Sequence, residues 1–531
     1  MSTLLSASGV CFVKLIKKIS LLIISAVLAC GVYLTGITNV YAAESPFRTI
    51  VTSDAEIDDV ASFHRLLLHM NDMSDSLEAV IYSSSTFHWA GDPNANPPIP
   101  AKDWAGSDVF QQIINGTGKW GKGGGYAAVV NNLKLHDPKF PSVEHMLSLI
   151  KVGNVTYRGE MKKDSEGSNF IKQAMLDNDP RPLFLQVWGG TNTIAAALRS
   201  IEDEYKGTDK WDEIYRHVTA KVRLYVILDQ DEVYKDYIDP HWPDLDIIVN
   251  RDQFWTVAYY TYRTAGIRGL PRVPDVIEDA YFSPEFIHRL RTGPLMSSYP
   301  VSADRLALGS AGYPDTESFL SEGDSPSYFY LLSNGLNSWK DPTYGGWGGR
   351  FAKVTEHRWS DFPSYITDKS WKFDDRRYGL EASRVRDVSP YPESYDVAYP
   401  TARFIPALQQ ELAARSQWQT VSYKDANHPP VVSIADGKTE IVVQPGEKVP
   451  LNGIASDPDN NKLVVHWWQY QEAGTYPNIV DIARPSALDT SFLIPTDARP
   501  GQTIHMILEV QDRAQIPITR YARLIATVGN K

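Results

Sequence analysis

The sequence predicts an α/β domain built on a mostly parallel sheet with helices on both faces, followed by an all-β immunoglobulin-like sandwich. Residues 45–415 alternate short runs rich in Val, Ile and Leu with segments of helical periodicity, as expected for buried parallel strands joined by helices. Residues 427–531 instead hold short, evenly spaced runs of alternating residues separated by turns. This second pattern is typical of a sandwich.

Length and composition limit the class of protein. A chain of 531 residues implies more than one domain, and 43% hydrophobic residues are enough for a buried core. The net charge is −12 and there is no basic tract, so the chain is a poor candidate for binding nucleic acid or an anionic membrane surface. The 14 tryptophans and 28 tyrosines offer flat rings for sugars, although core and interface packing accounts for most of them.

The first 42 residues have the pattern of a signal peptide. They contain three lysines and no acid, then the apolar run 19–29, and small residues at Val40-Tyr41-Ala42. We expect cleavage after Ala42 and a secreted or periplasmic protein, whose net charge becomes −15 once three lysines are lost. The alternative is a lipoprotein signal, with Cys30 as lipid anchor. Both cysteines, Cys11 and Cys30, lie in this leader, so the mature chain has no disulfide.

The strands of the first domain are predicted from short apolar runs. Apart from Thr49-Ile50-Val51, these are 77–82, 183–187, 224–228 and 246–249. Helical spacing is found after residue 59 and over 170–176, 254–264 and 328–332.

Two loop-rich stretches interrupt these elements. They are 86–125 and 334–351, and the second contains Trp347 within a Gly-Gly-Trp-Gly-Gly run. Long loops in a compact domain are often functional. We therefore predict that both face the substrate and that Trp347 contacts it.

The acidic run Asp54, Glu56, Asp58 and Asp59 follows the first predicted strand directly and precedes a helix. Like charges this close raise one another's pKa, so such a cluster is maintained mainly where a cation or proton transfer compensates it. Open α/β sheets bind ligands at the carboxyl ends of their strands. Carboxylate oxygens suit Ca²⁺ or Mg²⁺ better than zinc. The alternative is a solvated loop whose acids favour the helix N-terminus.

This run resembles the Asp-x-Asp-Pro-Gly-x-Asp-Asp signature of the nucleoside hydrolases. Asp54, Asp58 and Asp59 match its last three aspartates, whereas Thr52 replaces the first and Ala55-Glu56 replaces Pro-Gly. The resemblance implies that Asp54 binds Ca²⁺ and acts as general base on a water. It further implies that Asp59 is a second Ca²⁺ ligand and that Asp58 contacts sugar hydroxyls.

Two later segments resemble the same family. Gly189-Gly190-Thr191-Asn192 follows a predicted strand, and the resemblance places a Ca²⁺-binding backbone carbonyl on Asn192. Glu322-Gly323-Asp324-Ser325-Pro326 resembles the segment that supplies the last metal aspartate, here Asp324. Alone, each segment also fits an ordinary glycine turn or helix cap. Together they predict turns that converge at one edge of a parallel sheet.

Nearly the whole mature chain also resembles a bacterial secreted family of cellulose-binding proteins, with a nucleoside hydrolase-like domain followed by a β-sandwich. The segments that carry this resemblance are 164–169, 229–231, 322–327, 345–350 and 466–470. Four polar residues in them lie near predicted strand ends and are candidates to grip the sugar, with surface or capping roles as the alternative. They are Glu166, Asn169, Asp229 and Asp231.

The sandwich raises two further questions. Asp457, Asp459 and Asn460 could bind Ca²⁺, but a hairpin turn is the more direct interpretation of these turn-forming residues. Trp467 and Trp468 point to opposite faces of one predicted strand. The outer one either stacks on carbohydrate or packs against the first domain.

Together with these patterns, the resemblance to nucleoside hydrolases implies a secreted Ca²⁺-dependent hydrolase in which water attacks the anomeric carbon of an extracellular carbohydrate. We favour an O-glycosidic bond as the bond that is cleaved and rank an N-glycosyl bond second. The alternative is a non-catalytic protein that binds cellulose or another plant polysaccharide on a retained hydrolase scaffold.

Overall fold

The computed structural model describes residues 45–259, 271–309, 313–367 and 384–530. The predicted signal peptide, its alternative anchor Cys30 and the end of the predicted helix 254–264 lie outside these residues. Before that gap, the chain forms only a short 3₁₀ turn, Gln253–Thr256. No helix within the described ranges is long and apolar enough to span a membrane.

The first domain is built on an eight-stranded sheet of order β3-β2-β1-β4-β5-β6-β8-β7. All neighbours are parallel except β7 and β8, which pair antiparallel at one edge. The predicted fold class is therefore confirmed, and the short strands β3, β7 and β8 are additions to the prediction. The strands are β1 Arg48–Ser53, β2 Leu77–Tyr82, β3 Ile150–Val152, β4 Leu183–Val187, β5 Val222–Ile227, β6 Asp246–Asn250, β7 Ala352–Thr355 and β8 Arg358–Ser360.

Helices cover both faces of this sheet. Alternate residues of one strand enter different cores, so that Val51 belongs to one cluster and Ile50 to the other. The helices are α1 Ile57–Leu68, α2 Met70–Met73, α3 Val109–Asn115, α4 Val130–His136, α5 Val143–Ser148, α6 Glu166–Leu176, α7 Asn192–Tyr205, α8 Trp211–Lys221, α9 Asp239–His241, α10 Asp275–Tyr281, α11 Pro284–Leu290, α12 Gly293–Met296, α13 Ser302–Ala307, α14 Ser325–Phe329, α15 Pro363–Thr367, α16 Tyr399–Ala402 and α17 Ile405–Gln417.

After a small hairpin, β9 Asp387–Pro390 with β10 Glu393–Asp396, the C-terminal part is all β, as predicted. A three-stranded sheet, β11-β13-β15, and a four-stranded sheet, β12-β17-β16-β14, share one apolar core. The immunoglobulin-like assignment itself stays a prediction. The strands are β11 Val431–Ile434, β12 Glu440–Val443, β13 Lys448–Ser456, β14 Leu463–Gln469, β15 Asp489–Leu493, β16 Thr503–Asp512 and β17 Thr519–Val528.

The turn Asp457–Asn461 is held by its own side chains. Asp457 accepts backbone hydrogen bonds from Asp459 and Asn461, and Asp459 accepts from His428. These bonds support the turn interpretation, since they occupy Asp457 Oδ1 and Asp459 Oδ2, although Asp457 Oδ2 is buried without a partner among the described residues. It is not a hairpin, since β13 and β14 belong to different sheets.

The sandwich packs against the first domain within one compact unit that begins at Phe47. The Arg520 guanidinium of β17 binds both oxygens of Glu411 on α17 at 2.6 and 2.8 Å. Trp467 is buried in the sandwich core, whereas Trp468 is partly buried at this junction under Arg403, 5.5 Å from its ring. Trp468, the outer of the two tryptophans, therefore packs against the first domain, which is the alternative to stacking on carbohydrate.

Glu411 provides a stability prediction. Its carboxylate is buried between Arg415 and Arg520, and their charges hold its pKa below the usual range although burial opposes this. Glu411→Gln would leave the Arg520 guanidinium without its carboxylate, whereas Arg415 would keep Asp72 at 2.6 Å. We expect a loss of about 3 kcal/mol in the free energy of unfolding, measured by urea denaturation. The matched control is the exposed pair Lys172–Glu204, for which Glu204→Gln should cost less than about 1 kcal/mol. Equal losses in the two variants would contradict this account.

Buried histidines predict a loss of stability in acid. Burial lowers the pKa of His64 and of His69 from 6.5 to about 4, so both are neutral in the folded protein near pH 6. As the pH falls from 6.5 towards 4, the unfolded chain takes up protons that the folded chain does not, and stability is lost. Each histidine accounts for about 3 kcal/mol. Urea denaturation of the wild type and of His64→Gln between pH 4 and 7 should show a flatter pH dependence in the variant.

Candidate metal centre

The carboxyl ends of β1 and β4 form the topological switch point of the sheet. From this pair the order runs outward through β2 and β3 on one side and through β5 and β6 on the other. A crevice opens where the strand order reverses in this way, and ligands of open α/β sheets bind there. Asp54 follows β1 and Gly189 follows β4 after one residue, so both lie at this point.

The turn after β1 directs the acids into the crevice. Ala55 has a φ of 57°, a left-handed conformation that is unfavourable for a residue with a side chain, and such strain is concentrated at functional sites. Its N–H donates to Ser53 Oγ at 3.0 Å, and Ser53 in turn donates to Asp59. Helix α1 then begins at Ile57 with Asp58 and Asp59 in its first turn, where the helix dipole favours negative charge.

Asp324 joins these two acids from far along the chain. One oxygen each of Asp58, Asp59 and Asp324 lies within 4.8 Å of the other two, and all three residues are buried. Asp324 is the residue before α14, whose first turn holds it at the crevice. The predicted convergence of Asp59 and Asp324 is therefore observed as geometry.

Asp54 lies in a neighbouring group with Glu56 and His88, whose ligating atoms are also within 4.8 Å of one another. Asp54 is 1% exposed, and among the described residues neither of its oxygens has a hydrogen-bond partner. Three further buried oxygens also have no hydrogen-bond partner among the described residues, namely Asp324 Oδ2, Asn192 Oδ1 and Ser83 Oγ. Buried oxygens are normally satisfied, so a group of unsatisfied ones at a strand edge indicates a ligand.

The electrostatics of the cluster call for a compensating cation. Burial, with repulsion from Glu56, raises the pKa of Asp58 to about 8. Burial first, and then the neighbouring carboxylates, also raises the pKa of Asp59 and of Asp324. Burial raises the pKa of Asp54 as well, although the charge of His88 opposes this. These side chains resist ionisation unless positive charge is supplied, and oxygen-only ligands suit a hard divalent ion. The donor set thus fits Ca²⁺.

Glycines leave the room that this packing needs. A Cβ on Gly189 would lie 2.9 Å from the Asp54 Cβ, and one on Gly323 would lie 2.6 Å from Asp58 Oδ2. These contacts are closer than a side chain allows, so the glycines in the two later segments permit the acids to approach the backbone.

Asn192 is the first residue of α7, directly after the β4 turn. Its side-chain NH₂ donates to Ser84 Oγ and to the carbonyls of Asn154 and Glu160. A backbone carbonyl in the first turn of a helix points along the helix axis and accepts a hydrogen bond from the N–H group four residues later. The unpartnered oxygen at this position is therefore Oδ1, and the predicted carbonyl ligand stays a prediction.

Asp229 and Asp231 stabilise loops and do not face the crevice with free oxygens. Asp229 accepts from the backbone N–H groups of Tyr234 and Lys235, both at 3.1 Å. Asp231 accepts from Thr191 Oγ1 and from the N–H groups of Asn192 and Val233. These local capping bonds occupy oxygens of both residues, and those of Asp231 hold the start of α7. The sugar contacts predicted for Asp229 and Asp231 stay predictions.

The other predicted sugar contacts lie elsewhere. Glu166 and Asn169 are exposed on α6, and Glu166 approaches the Val152 backbone N–H at 3.4 Å. Trp347 is only 2% exposed and packs edge-on against Tyr521 of the sandwich, with ring centroids 6.4 Å apart. The stretch 334–351 therefore covers the domain junction, which corrects its predicted substrate-facing role.

Four residues at the crevice had no predicted role. Glu56 contacts His88 at 3.3 Å and Arg305 at 3.7 Å, and it also accepts from the Tyr259 hydroxyl. Burial opposes the charge of His88, but Glu56 outweighs it and raises the pKa of His88 to about 10. His88 follows β2, the neighbour of β1 in the sheet, so strand order is the signal that could have identified it.

The fold and the cluster define a class, a nucleoside hydrolase-like α/β scaffold with an acidic centre at its switch point. The profile of the family described as cellulose-binding Sde182, nucleoside hydrolase-like domain, matches residues 48–351, more than half of the chain. That of the cellulose-binding protein Sde0182, C-terminal domain, matches residues 448–528. The chain belongs to this family, as predicted.

One solved structure supports the fold. A nucleoside hydrolase-related hypothetical protein from Saccharophagus degradans, described as associated with carbohydrate metabolism, is 23% identical with a TM-score of 0.65, over 91% of this chain and 99% of that one. A plant nucleoside hydrolase, PpNRh1, is 10% identical with a TM-score of 0.29, over 70% of this chain and 99% of that one. A TM-score this low supports no inference about this chain. No curated protein matches.

Proposed function

We propose that this protein is a secreted Ca²⁺-dependent hydrolase that cleaves a glycosyl bond in extracellular carbohydrate. The observation that carries the proposal is the group of buried carboxylates at the switch point, with both Asp54 oxygens unpartnered among the described residues. Crowded buried carboxylates destabilise the folded protein when no cation compensates their charge. Their presence is therefore expected mainly in a protein that binds a metal ion.

The ion would be held by Asp54, Asp59, Asp324 and the residue at position 192. Bound there, Ca²⁺ would supply positive charge that orients a water and neighbouring sugar hydroxyls and lowers the water's pKa.

The chain's own groups act on the substrate. Asp54 removes a proton from the water as the water oxygen bonds to the anomeric carbon, while the glycosyl bond to the leaving group breaks and the leaving group takes a proton from solvent. Asp58 accepts a hydrogen bond from a sugar hydroxyl. The surrounding carboxylates stabilise the positive charge that develops on an oxocarbenium-like ring.

The family description supports a polysaccharide or a fragment of one as the partner. The predicted signal peptide agrees with a substrate outside the cell. N-ribosyl hydrolysis is the second choice of bond, because Leu228-Asp229-Gln230-Asp231 stands where a true nucleoside hydrolase has an Asn-rich segment that contacts the ribose.

The second candidate function is polysaccharide binding without turnover. Two observations favour it, the cellulose-binding description of both matched regions and the replacement of the signature's first aspartate by Thr52. A fold does not guarantee its ancestral activity. The acidic centre would then be a structural Ca²⁺ site.

The test uses the full chain after chelation with EGTA, with and without added Ca²⁺, against nucleosides, aryl furanosides and plant oligosaccharides. We expect calorimetry to show bound Ca²⁺ and one substrate class to be hydrolysed only when the ion is present. No turnover on any of them, together with firm sedimentation on cellulose, would reject the hydrolase in favour of the binding protein.

A further inference from the structure

We infer that Tyr259 is a positioning residue that fixes Asp58, and that Glu56 in turn fixes Tyr259. This inference rests on the proposed function, in which Asp58 contacts a sugar hydroxyl. The Tyr259 hydroxyl lies 2.9 Å from Asp58 Oδ1, and both side chains are buried. A carboxylate that recognises one hydroxyl needs a fixed rotamer, and a hydrogen bond from a rigid neighbour provides it.

Tyr259 is itself held in an unfavourable backbone conformation. Its φ is 41°, which is rare for a bulky residue, and its N–H donates to Ser321 Oγ at 3.0 Å. Ser321 Oγ also lies 3.5 Å from Asp58 Oδ2. Backbone strain of this kind persists where the surroundings over-determine it, often at functional sites.

Glu56 links this pair to two further segments of the chain. The Tyr259 hydroxyl has a single proton, for which Glu56 and Asp58 are alternative acceptors. The other contacts of Glu56 are His88 Nε2 at 3.3 Å and Arg305 at 3.7 Å. His88 Nδ1 is anchored on the Asp103 carbonyl at 2.8 Å, and the Arg305 guanidinium lies 5.7 Å from the Tyr259 ring centroid. Glycine occupies position 56 in the motif that this turn resembles, so the link depends on a side chain that the motif does not supply.

The geometry leaves Asp58 little freedom. Tyr259 contacts one oxygen, Ser321 approaches the other, and the Gly323 backbone passes close to Oδ2. Removing the Tyr259 hydroxyl would free one side of the carboxylate while leaving Asp59 and Asp324 unchanged. The effect should therefore fall on substrate binding and not on the metal.

The test compares Tyr259→Phe with Tyr126→Phe. Tyr126 is the matched control, a buried tyrosine whose hydroxyl donates to the Pro141 carbonyl at 2.8 Å and not to an acid of the crevice. With Ca²⁺ present, we expect Tyr259→Phe to raise KM about tenfold with kcat almost unchanged, the pattern for lost uniform binding. Calorimetric Ca²⁺ affinity should not change, and Tyr126→Phe should keep both kinetic constants.

Crystal structures of the wild type and Tyr259→Phe, grown with Ca²⁺, give a readout that does not need turnover. We expect the Asp58 carboxylate to change rotamer in the variant. An unmoved Asp58, an unchanged KM or a weakened Ca²⁺ affinity would each overturn the inference. If the wild type hydrolyses nothing, the proposed function fails, whereas the crystallographic comparison still decides whether Tyr259 positions Asp58.

Discussion

Asp54→Asn should lower kcat by about 10²–10⁴-fold on the glycoside that the wild type hydrolyses, because a general base contributes a factor of this size. The substitution keeps the shape of the side chain and removes its ability to accept a proton from water. It should not unfold the protein, since neither Asp54 oxygen accepts a hydrogen bond from the described residues. Turnover measured at saturating Ca²⁺ separates loss of the base from loss of the ion.

Asp361→Asn is the matched control for this variant. Asp361 is also buried and follows β8 in the same sheet, but its oxygens accept from the backbone N–H groups of residues 251, 252 and 253 at 2.6–2.9 Å. This variant should lower the melting temperature because a hydrogen-bonded acceptor is replaced, while the folded fraction keeps its kcat. A kcat for Asp54→Asn within tenfold of the wild type would contradict the role of Asp54.

The sequence predicted those parts of the fold and site that follow from strand order. The acids after β1 and the glycine turn after β4 lie together because neighbouring parallel strands end at one edge of a sheet. Strand order does not predict the position of Asp324, because no strand directly precedes this residue. The short helix α14, which follows it, holds it at the crevice. The position of Asp324 was predicted through resemblance and not through periodicity.

Contacts that local composition does not reveal explain where the structure differs from what the sequence suggested. Asp229 and Asp231 look like free acids near a strand end, but the backbone N–H groups of following turns occupy their oxygens. Trp347 lies in a glycine-rich loop, yet it is buried because the sandwich docks on it. Neither the turn conformation nor the docking surface can be inferred from local composition.

Asp324→Asn should change stability in opposite directions with and without Ca²⁺. In EGTA, removing one of three crowded buried carboxylates relieves repulsion, so the free energy of unfolding should rise by on the order of 1–3 kcal/mol. With Ca²⁺, the same change removes a ligand. We expect the affinity to fall at least about 100-fold, the upper end for losing even an outer-shell partner.

Thermal unfolding with and without the ion measures both effects. At a Ca²⁺ concentration of 100 times Kd, the wild type should gain about 2.7 kcal/mol, whereas Asp324→Asn should gain little at the same concentration. Asp361→Asn should be less stable in both conditions and keep the full gain. A variant at position 324 that is destabilised in EGTA would mean that this carboxylate supports the fold by itself. If Asp324→Asn were stabilised by Ca²⁺ as much as the wild type, the ion would bind elsewhere. The acidic crevice would then not be the metal centre.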